Sequence, residues 1–552
     1  MLWRVPVGSP SPFLRPSDGR SPRRPRHRAL WGLAAVIALA LASMAAVWAW
    51  SGATLAADAT ALARVDVQRF GGRLERARAF GPGGRVIPVS VRGGRLTPRA
   101  RLAPGERVSV EVVVRRPGWL AWALGNESRE RLALRTPVAH VRERWLTVPG
   151  RSPVRVQFDQ PVSVVAYGSR GPLAATMLDP ARRAIVLPRR AEAGSVEVAA
   201  AARPWERLGT PVAVSWFPPA RSPVVVTRPT PGGPLTAAAP IRLTFSQPVA
   251  SALGTTKPKL SPATRGNWRQ PDSHTLLFVP SGLAVDLDTK LQLEFPRALA
   301  VIGRDGRGLH TTRRIDWPVP PGSTLRLQQL LAQADYLPVR WTPAGAPVAH
   351  TARAQLQAAF DPPKGRFSWR YPNTPSELRG LWSPGRPNGI SRGAVMMFED
   401  THGLDVDGFA GAKVWRALLA DAIAGKRRSS GYSYVYVHRN LPQSLNLWHN
   451  GHTILSSPGN TGVPVAPTQL GTFPVFEHIP VGTMSGTNPD GSHYHDPGIQ
   501  FISYFNGGDA IHAFNRATFG TPQSLGCVEL PLASAAKVWP YTPIGTLVTI
   551  EN

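Results

Sequence analysis

The single cysteine of this 552-residue chain is the side chain with the clearest chemical potential. Cys527 ends a Ser-Leu-Gly-Cys segment, and His512 lies fifteen residues upstream in an Ala-Ile-His-Ala segment. A thiolate is a strong nucleophile only where a base or a positive environment lowers its pKa, so this pair is a candidate for acyl transfer. A lone cysteine is also compatible with a small, buried, apolar side chain. The elements that surround the pair must decide between these two interpretations.

The chain is β-rich from residue 430 onward. Apolar and polar residues alternate with a period of two, and Asn-Gly pairs mark tight turns between the alternating runs. The runs are Tyr432–His438, Leu445–Trp448, Thr468–Val475 and Ile499–Phe505. The Asn506 turn leads directly into the segment that carries His512, and a second turn leads into Cys527.

Four segments in this order resemble the catalytic domain of YkuD-type L,D-transpeptidases, over residues 430–552: "PTQLGTFPV", "GIQFISYFNGGDAIHAF", "TPQSLGCVELP" and "GTLVTIEN". The resemblance implies a cysteine acyltransferase that attacks peptidoglycan tetrapeptide stems and forms 3→3 cross-links through a thioester. Thioesters react with amines, so no cofactor and no metal is implied. The implied catalytic groups are the Cys527 nucleophile, the His512 base, the Ala513 carbonyl that orients the imidazole, the Gly526 main chain of the oxyanion hole, and Ser524.

We expect four further residues to contact substrate, namely Tyr504, His493, His495 and Glu529. The two histidines lie in a Gly- and Pro-rich segment where a substrate flap would lie. A metal cluster is the weaker interpretation of these histidines, because no second ligand set has zinc spacing. The family usually has His where this chain has Leu525, and Arg or Asn where it has Glu529. An acid at position 529 is expected to repel a substrate carboxylate.

The segment before the β-rich region resembles a peptidoglycan-binding helical module over residues 320–425. Its two halves are "LRLQQLLAQADYLP" and "AVMMFEDTHGLDVDGFAGAKVWRALL". Between them, residues 340–390 are rich in Pro, Gly and Trp, which predicts an inserted loop. The Asp405-Val-Asp-Gly spacing indicates a structural turn, since the ligand series of a calcium-binding EF-hand does not continue.

Two β domains are predicted upstream, over residues 86–219 and 223–318, following a short stalk over residues 51–85. Residues 152–162 match residues 239–249 in a repeat whose apolar positions alternate, as in half-buried strands. A repeat of this size indicates a domain duplication, and short alternating strands are typical of β-sandwiches. The second copy resembles bacterial immunoglobulin-like (Ig-like) modules.

The N-terminus has the pattern of a membrane anchor. Residues 1–28 are polar and contain seven arginines, which predicts a disordered cytoplasmic tail. Residues 29–50 are uncharged and mostly apolar, long enough to span a bilayer as a helix. The positive-inside rule then places the rest of the chain outside the cytoplasm. A signal peptide cleaved near Thr54-Leu55-Ala56 is the alternative.

The formal charge of +30 is uneven. From residue 431 onward there are three basic and six acidic side chains, so this segment carries −3 and residues 1–430 carry +33. No helix-turn-helix, zinc-ligand or RNA-stacking motif accompanies the charge, which argues against a nucleic-acid partner. Adhesion to a membrane surface or an anionic cell-wall polymer fits better, and an Arg- and Ala-rich composition accounts for part of the excess.

Together these features predict a multidomain, mainly β protein. It would comprise a transmembrane helix, two Ig-like β-sandwiches, a small α-helical peptidoglycan-binding-like module and a C-terminal L,D-transpeptidase fold. The predicted function is a single-pass, membrane-anchored L,D-transpeptidase with an extracytoplasmic catalytic domain and peptidoglycan stem peptides as partners. Two alternatives stay open: a catalytically impaired cell-wall-binding protein, and an L,D-carboxypeptidase that uses water as the acceptor.

Overall fold

The computed structural model describes residues 27–169, 172–189, 191–303 and 308–552, with main chain alone for residues 27–31. Apart from its last two residues, the predicted tail 1–28 lies outside the described residues. The chain divides into two compact units. The first runs to Arg142 and also includes Arg155–Ile185 and Val196–Ala213; the second comprises Glu143–Val154, Val186–Ser195 and Val214–Asn552.

The first described element is helix α1, His27–Ala49. Its segment Gly32–Ala49 has a mean hydropathy of 2.1, and none of it is buried inside the protein. Helix length and composition therefore suit a membrane span, and they suit an N-terminal signal sequence equally. The predicted span over residues 29–50 agrees with the bounds of this helix to within about two residues.

The first unit continues with two four-stranded sheets, in the orders β1-β2-β6-β5 and β4-β3-β7-β8. A short helix, α2, spans Gly118–Leu124, and a 3₁₀ turn spans Pro82–Gly84. The strands are β1 Ala53–Ala57, β2 Ala63–Val67, β3 Arg73–Phe80, β4 Val86–Ile87, β5 Val89–Arg92, β6 Arg95–Pro98, β7 Arg107–Arg115 and β8 Glu127–Arg135.

The prediction of a stalk over residues 51–85 is wrong, because β1, β2 and β3 all lie within it. Their small apolar residues Ala63, Val65 and Ala79 are buried, although arginines interrupt the pattern. These strands pair with β6 and β7, so the segment forms one core with later strands of the first unit. The predicted boundary at residue 86 therefore lies inside a folded region.

Residues 145–217 contribute strands to both units. β10 pairs antiparallel with β12 in the first unit, and β9 pairs in parallel with the end of β13 in the second. In β10 the alternating Val154, Val156 and Phe158 are buried as predicted. The strands are β9 Trp145–Thr147, β10 Val154–Gly168, β11 Ala175–Leu187, β12 Gly194–Ala201 and β13 Val212–Phe217.

A seven-stranded sheet follows within the second unit, in the order β16-β19-β14-β15-β18-β17 with β20 on β19. Its strands run from Val224 to Val319, while the domain bounds 223–318 and the Ig-like assignment of both β domains stay predictions. The elements are β14 Val224–Arg228, β15 Ile241–Phe245, α3 Val249–Leu253, β16 Lys259–Ser261, β17 Gly266–Asp272, β18 Thr275–Pro280, β19 Thr289–Ile302 and β20 Leu309–Val319.

The predicted helical module at 320–425 contains five helices in the described chain: α4 Thr324–Gln333, α5 Ala352–Phe360, α6 Ser376–Gly380, α7 Gly389–Thr401 and α8 Ala412–Ala424. The hairpin of β21 Val339–Pro343 and β22 Gly365–Trp369 lies among them. Ser323 caps the start of α4 through its hydroxyl, and Gly425 ends α8 in the left-handed conformation that favours glycine.

The prediction that residues 340–390 form an inserted loop is wrong. This stretch contains α5, α6 and most of the β21–β22 hairpin. Trp341 packs its ring on Phe367 at 4.8 Å between centroids, and Leu356 on α5 is buried. The aromatic residues that suggested an irregular segment therefore belong to its core.

The C-terminal region forms two sheets, β25-β24-β23-β31-β26 and β27-β28-β29-β30. Helix α9, Leu532–Val538, and a 3₁₀ turn, Trp539–Tyr541, lie between the last two strands. The strands are β23 Ser433–His438, β24 Ser444–His449, β25 His452–Pro458, β26 Gly471–Pro474, β27 Glu477–Thr487, β28 His493–Asn506, β29 Asp509–Ala513, β30 Val528–Leu530 and β31 Leu547–Glu551.

Candidate active site

Two parallel strands position the candidate pair. β29 carries His512, Cys527 immediately precedes β30, and the register places His512 opposite Glu529. Side chains two residues apart share a face of a sheet, so Cys527 lies on the face that carries His512 and Glu529. On the opposite face, Ile511 and Val528 pack into the main core of the domain. Diagonal neighbours on one face of a sheet are about 7–8 Å apart, within reach of long side chains or of one bridging water.

The His512 imidazole is held in one orientation. Its Nδ1–H donates a hydrogen bond to the Ala513 main-chain carbonyl at 3.0 Å, which leaves Nε2 as the nitrogen that can accept a proton. The side chain is buried, and burial lowers the pKa of His512 below its ordinary value despite the opposing effects of the Ala513 carbonyl and Glu529. The ring is therefore neutral at neutral pH and available as a base.

The Cys527 thiol is partly exposed and lies in a small apolar cluster with Tyr504 and Ile502. Its Sγ donates to the Gly508 carbonyl at 3.7 Å. Burial raises the pKa of Cys527 to about 12, and the negative charges of Asp509 and Glu529 act in the same direction. The resting site is therefore a neutral thiol beside a neutral imidazole.

A nucleophile and its base are expected within hydrogen-bond reach, so the roles predicted for Cys527 and His512 imply a hydrogen bond between them. None is found among the hydrogen bonds of the described residues. The thiol and the Nδ1–H of the ring both bond to main-chain carbonyls instead. The physical reason is the diagonal placement of the two residues across the strands, which separates them by more than a direct neighbour pair. A substrate or a water between them would complete the proton path.

The turn before the nucleophile is closed by Ser524. Its buried hydroxyl donates to the Cys527 carbonyl at 2.6 Å and accepts from the Gly526 N–H at 3.3 Å. The Gly526 N–H is thus already bonded, whereas the sequence predicts it as an oxyanion donor. In the described part of the chain the N–H of Cys527 itself has no acceptor, so it is the better oxyanion donor at this turn.

Gly526 is required at this turn for two reasons. Its φ of +120° lies in the region that favours glycine, and a Cβ at this position would overlap Oδ1 of Asp509. The Asp509 carboxylate therefore packs against the main chain that carries the thiol. Asn506 donates to it at 3.3 Å, and burial raises the pKa of Asp509. Sequence analysis did not identify Asp509. Its position three residues before His512 is the signal in the sequence that could have indicated a role near the site.

Glu529 is not where the sequence places it. Instead of facing substrate, it is buried and forms a two-pronged ion pair with Arg516, with Nε–Oε2 at 2.9 Å and Nη2–Oε1 at 2.7 Å. Arg516 also donates to the Gln523 carbonyl at 3.2 Å, which ties the segment between the base and the nucleophile to β30. The expected repulsion of a substrate carboxylate by Glu529 is therefore neutralised within the protein.

The predicted substrate flap is a β-hairpin formed by β27 and β28. His493 and His495 are exposed on one face, where their Nδ1 atoms lie 3.1 Å from Thr487 Oγ1 and 2.8 Å from Ser485 Oγ. Tyr494 and Asp496 alternate with them and are less exposed. Burial raises the pKa of Tyr494, and an electrostatic contribution from Cys527 acts in the same direction. Asp496 acts electrostatically on His512 and Arg516, so the side chains of Tyr494 and Asp496 both lie near the site.

Residues 433–550 match the family model of the YkuD L,D-transpeptidase catalytic domain. The match covers the strands and the turn that carry Cys527 and His512, and it supports an L,D-transpeptidase type of enzyme. The rest of the chain lies outside the match, so the Ig-like and peptidoglycan-binding assignments stay predictions. A comparison with curated proteins gave no match.

Three solved structures illustrate what the chain is similar to. An L,D-transpeptidase from Mycobacterium smegmatis is 12% identical over 60% of this chain and 100% of that chain, with a TM-score of 0.20. L,D-transpeptidase 3 from Mycobacterium tuberculosis is 13% identical over 60% and 99%, with a TM-score of 0.20. The catalytic domain from the E. faecium L,D-transpeptidase is 23% identical over 22% and 100%, with a TM-score of 0.20.

Within the YkuD-type domain, the structure brings together most of the residues singled out from sequence. Cys527, His512 and Tyr504 lie around one face of β29 and its neighbours, and Ala513, whose side chain packs on the opposite face, contributes the carbonyl that accepts from His512. His493 and His495 are turned away from it, and Ser524 supports the turn. No cluster of three or more metal-ligating side chains occurs among the described residues.

Proposed function

We propose that this protein is a membrane-anchored cysteine L,D-transpeptidase that acts on peptidoglycan tetrapeptide stems. The observation that carries the proposal is the arrangement of Cys527 and His512 on one face of two parallel strands, with the imidazole fixed through Nδ1. The family match over residues 433–550 supplies the reaction class. The lone cysteine leaves one candidate thiol for a covalent intermediate.

In the acylation step the Cys527 sulfur attacks the carbonyl carbon between the third and fourth stem residues. The thiol proton passes to His512 Nε2, directly or through a water, and the carbonyl oxygen becomes an oxyanion near the Cys527 N–H. Collapse breaks the peptide C–N bond and forms the thioester. The imidazolium returns its proton to the departing amine, so the terminal D-residue leaves as a neutral amine and the site regains its neutral imidazole.

In the second step the amine of another stem attacks the thioester carbonyl. His512 takes a proton from the attacking nitrogen and gives it to the departing sulfur, which regenerates the thiol. A side-chain amine on the third residue of the acceptor gives a 3→3 cross-link. Water in the same position gives trimming to a tripeptide, the L,D-carboxypeptidase alternative.

The N-terminal helix supports an uncleaved anchor. Cleavage near Thr54–Ala56, the alternative, would cut within β1, which pairs with β2 from Ala53 to Ala57. Ala53 is buried in the core of the first unit, so cleavage would remove ordered structure. We infer an anchored chain with an exported catalytic domain, in which the basic part of the chain between the anchor and residue 430 contacts anionic wall polymers.

A catalytically impaired wall-binding protein is the second candidate, and one observation favours it. The thiol has a raised pKa and no hydrogen bond to His512, so it is not pre-activated. The two candidates differ in covalent chemistry. Full-length protein in detergent, incubated with a carbapenem and weighed intact, should gain one adduct if it is an enzyme. Cys527→Ser should gain none, and His512→Gln should acylate about 10²–10⁴-fold more slowly.

Analysis of the products then identifies the acceptor. Tetrapeptide stems should give cross-linked dimers that contain one tripeptide donor and one intact acceptor. Trimmed tripeptide without any dimer would show that the protein acts as an L,D-carboxypeptidase and not as a transpeptidase. The absence of both the adduct and any turnover would favour the wall-binding protein.

A further inference from the structure

A short apolar segment between β7 and β8 is exposed to solvent. Residues 117–126 carry no charged side chain and include helix α2. Leu120 on this helix is buried, whereas Trp119 and Trp122 are 57% and 85% exposed. Single exposed apolar residues are common on protein surfaces, but neighbouring tryptophans on an uncharged segment indicate a contact surface.

Helix α2 lies against the end of α1 through a series of aromatic rings. The ring of Phe70 lies 6.5 Å from that of Trp50, which directly follows α1, and 5.9 Å from that of Trp119, between centroids. Trp50 is itself 52% exposed, and Trp48 in the last turn of α1 is 63% exposed. Phe70 therefore joins the exposed tryptophans at the end of α1 to those on α2.

Arg116 fixes α2 beside the end of α1. Its Nε donates to the Ser51 carbonyl at 3.2 Å, and its Nη1 donates to the Leu124 carbonyl at 2.5 Å. One side chain thus joins the second residue after α1 to the last residue of α2. The main chain is also joined here, because the Phe70 N–H donates to the Trp50 carbonyl at 3.1 Å. The position of α2 relative to the end of α1 is therefore set by hydrogen bonds as well as by ring contacts.

Three exposed arginines lie around the same surface. Arg69 directly precedes Phe70, and Arg73 pairs with Arg115 where β3 and β7 approach α2. None of the ion pairs among the described residues includes any of the three. Their charges complement the phosphates of anionic lipids. They oppose the alternative that a second copy of this chain, whose net charge is +30, covers the tryptophans.

We propose that α2 is a second membrane contact, which lies in the headgroup region of the extracytoplasmic leaflet beside the proposed anchor. The inference rests on that anchor, because a span by α1 brings Trp48 and Trp50 to the membrane surface. Tryptophan favours this depth, since its ring is apolar and its N–H can bond to headgroups. Phe70 and Arg116 then hold α2 at the same level, with Trp119 and Trp122 in contact with lipid.

The test measures the depth of α2 in a bilayer with a fluorescent label. Cys527→Ser removes the only native thiol, so Ala123→Cys on the exposed side of α2 gives one site for the dye NBD and keeps both tryptophans. The full-length protein is reconstituted in vesicles of phosphatidylcholine and phosphatidylglycerol. We expect strong quenching by lipids that carry a nitroxide on the acyl chain close to the headgroup, and weaker quenching by lipids that carry it near the chain end.

Two further label sites separate this contact from the anchor. Leu39→Cys in the middle of α1 reports the span, and Arg135→Cys lies at the far end of β8, about 26 Å along the strand from Glu127. We expect strong quenching at position 39 by the deeper nitroxide and several-fold weaker quenching at position 135 than at position 123.

The outcomes differ for the two proposals. Quenching at position 39 without quenching at position 123 would overturn the α2 contact and leave the anchor in place. Quenching at neither position would overturn both. A label at position 123 that is shielded from water but not quenched by lipid would indicate a second copy of the chain, and it would also contradict the proposal.

Variants identify the side chains that carry the contact. In the protein labelled at position 123, Trp119→Ser combined with Trp122→Ser should lower the quenching several-fold. Trp122→Ser alone should lower it in the same direction, and it keeps the test valid if the double variant does not fold, because Trp122 is 85% exposed. Val86→Ser removes an exposed apolar side chain at the end of β3 away from α2 and should change nothing. Unchanged quenching in folded Trp122→Ser would overturn the proposal.

Discussion

The resting chemistry of the site is decided by single residues around the thiol. Burial keeps His512 neutral and keeps Cys527 protonated, and the charges of Asp509 and Glu529 favour the thiol further. Arg516 pairs with Glu529 and limits the effect of that charge. Asp509 is a nearby acid without a cationic partner among the ion pairs of the described residues. Its charge therefore acts on the thiol without compensation, and replacing it tests how this charge affects thiol reactivity.

Replacing Asp509 by Asn is expected to lower the pKa of Cys527, because it removes a negative charge that disfavours the thiolate. The rate of alkylation by iodoacetamide at pH 8 should rise several-fold, since the thiolate fraction increases tenfold for each unit of pKa below its present value. The measurement is intact mass against time over a range of pH. Asp490→Asn at the exposed hairpin tip is the control, and a rate that is unchanged or lower in Asp509→Asn would contradict the assignment.

The sequence predicts the site residues that belong to a motif, but not those whose roles depend on contacts between distant residues. Cys527, His512 and the Ala513 carbonyl follow from a motif; the structure pairs His512 with the Ala513 carbonyl and places Cys527 diagonally across the neighbouring strand. The roles of Ser524, Gly526 and Glu529 depend on hydrogen bonds across the turn and to Arg516, which spacing alone does not encode. Asp509 gains its place only because Gly526 lacks a side chain.

At the scale of elements, the β27–β28 hairpin shows what period-two alternation determines. Exposed His493 and His495 share one face, and the less exposed Tyr494 and Asp496 share the other. The side-chain chemistry of His493 and His495 suggests a role in substrate binding, but the period-two alternation along β28 determines which side chains face the site. The ring of Tyr494 packs over Gly486 on the paired strand, which fixes it above the sheet.

We therefore expect Tyr494→Ala to lower kcat/KM for the stem peptide about tenfold, equivalent to about 1.4 kcal/mol of transition-state stabilisation. His493→Ala on the opposite face should stay within twofold. Tyr494→Phe, which keeps the ring, should retain most of the activity. Steady-state turnover of tetrapeptide measures all three variants. A larger loss in His493→Ala than in Tyr494→Ala would show that the face of β28 with His493, and not the face with Tyr494, contacts substrate.

In the helical module, α7 is joined to the following turn through a buried acid. Glu399 Oε2 accepts from the N–H groups of Asp407, at 3.1 Å, and Gly408, at 2.9 Å. Burial raises the pKa of Glu399 from 4.5 to about 7. The folded state therefore binds the proton more tightly than the unfolded state does, and the free energy of unfolding must fall as the pH rises between these two values.

The expected fall is about 3 kcal/mol between pH 4.5 and pH 7, with no further change above. Glu399→Gln keeps an acceptor for the turn and should remove this pH dependence. Hydrogen exchange of the peptide that contains residues 407 and 408, corrected for intrinsic rates, compares the two proteins. Asp405→Asn, whose side chain is 89% exposed, is the control. Equal pH dependence in wild type and Glu399→Gln would contradict the account.

The helical module also shows the limit of periodicity. The apolar residues of α4 predict a helix, and the helix is present at Thr324–Gln333. The same helix buries Arg326, Gln328 and Gln329. Helical periodicity alone would assign these polar side chains to the face that contacts solvent. Their burial depends on α5 and on the chain near Ser383, contributed by the very segment for which the sequence predicts a loop.

For the molecule as a whole, the order of secondary-structure types was easier to predict than the bounds of folded regions. A helix at 27–49, strands between 224 and 319, and strands from 433 onward all occur where the sequence predicts these types. The stalk predicted at 51–85 is the exception, because Arg-rich strands with small buried residues have a weak apolar signal. Strand pairing between distant segments, as in β3 with β7, decides such cases and is not local in sequence.

The anchor gives a prediction at this scale. If the proposed anchor is uncleaved, membranes that contain the protein should retain it in the pellet after extraction with alkaline carbonate, because a helix of 23 residues with this hydropathy is long and apolar enough to span the bilayer. A chain that lacks residues 27–49 should be released, and it serves as the control. N-terminal analysis of the membrane form should find residues before Ala53. A mature N-terminus near Ala57 would establish the cleaved signal instead.

The central claim is that Cys527 forms a thioester with the stem peptide, with His512 as the base. The most direct measurement is the intact mass of the full-length protein, quenched in acid during turnover of a tetrapeptide stem. The account predicts a species heavier by the tripeptide acyl group, sensitive to hydroxylamine, absent in Cys527→Ala and strongly reduced in His512→Gln. Stem turnover at the wild-type rate in Cys527→Ala, or turnover without any acyl species even when acceptor amine is withheld, would contradict it.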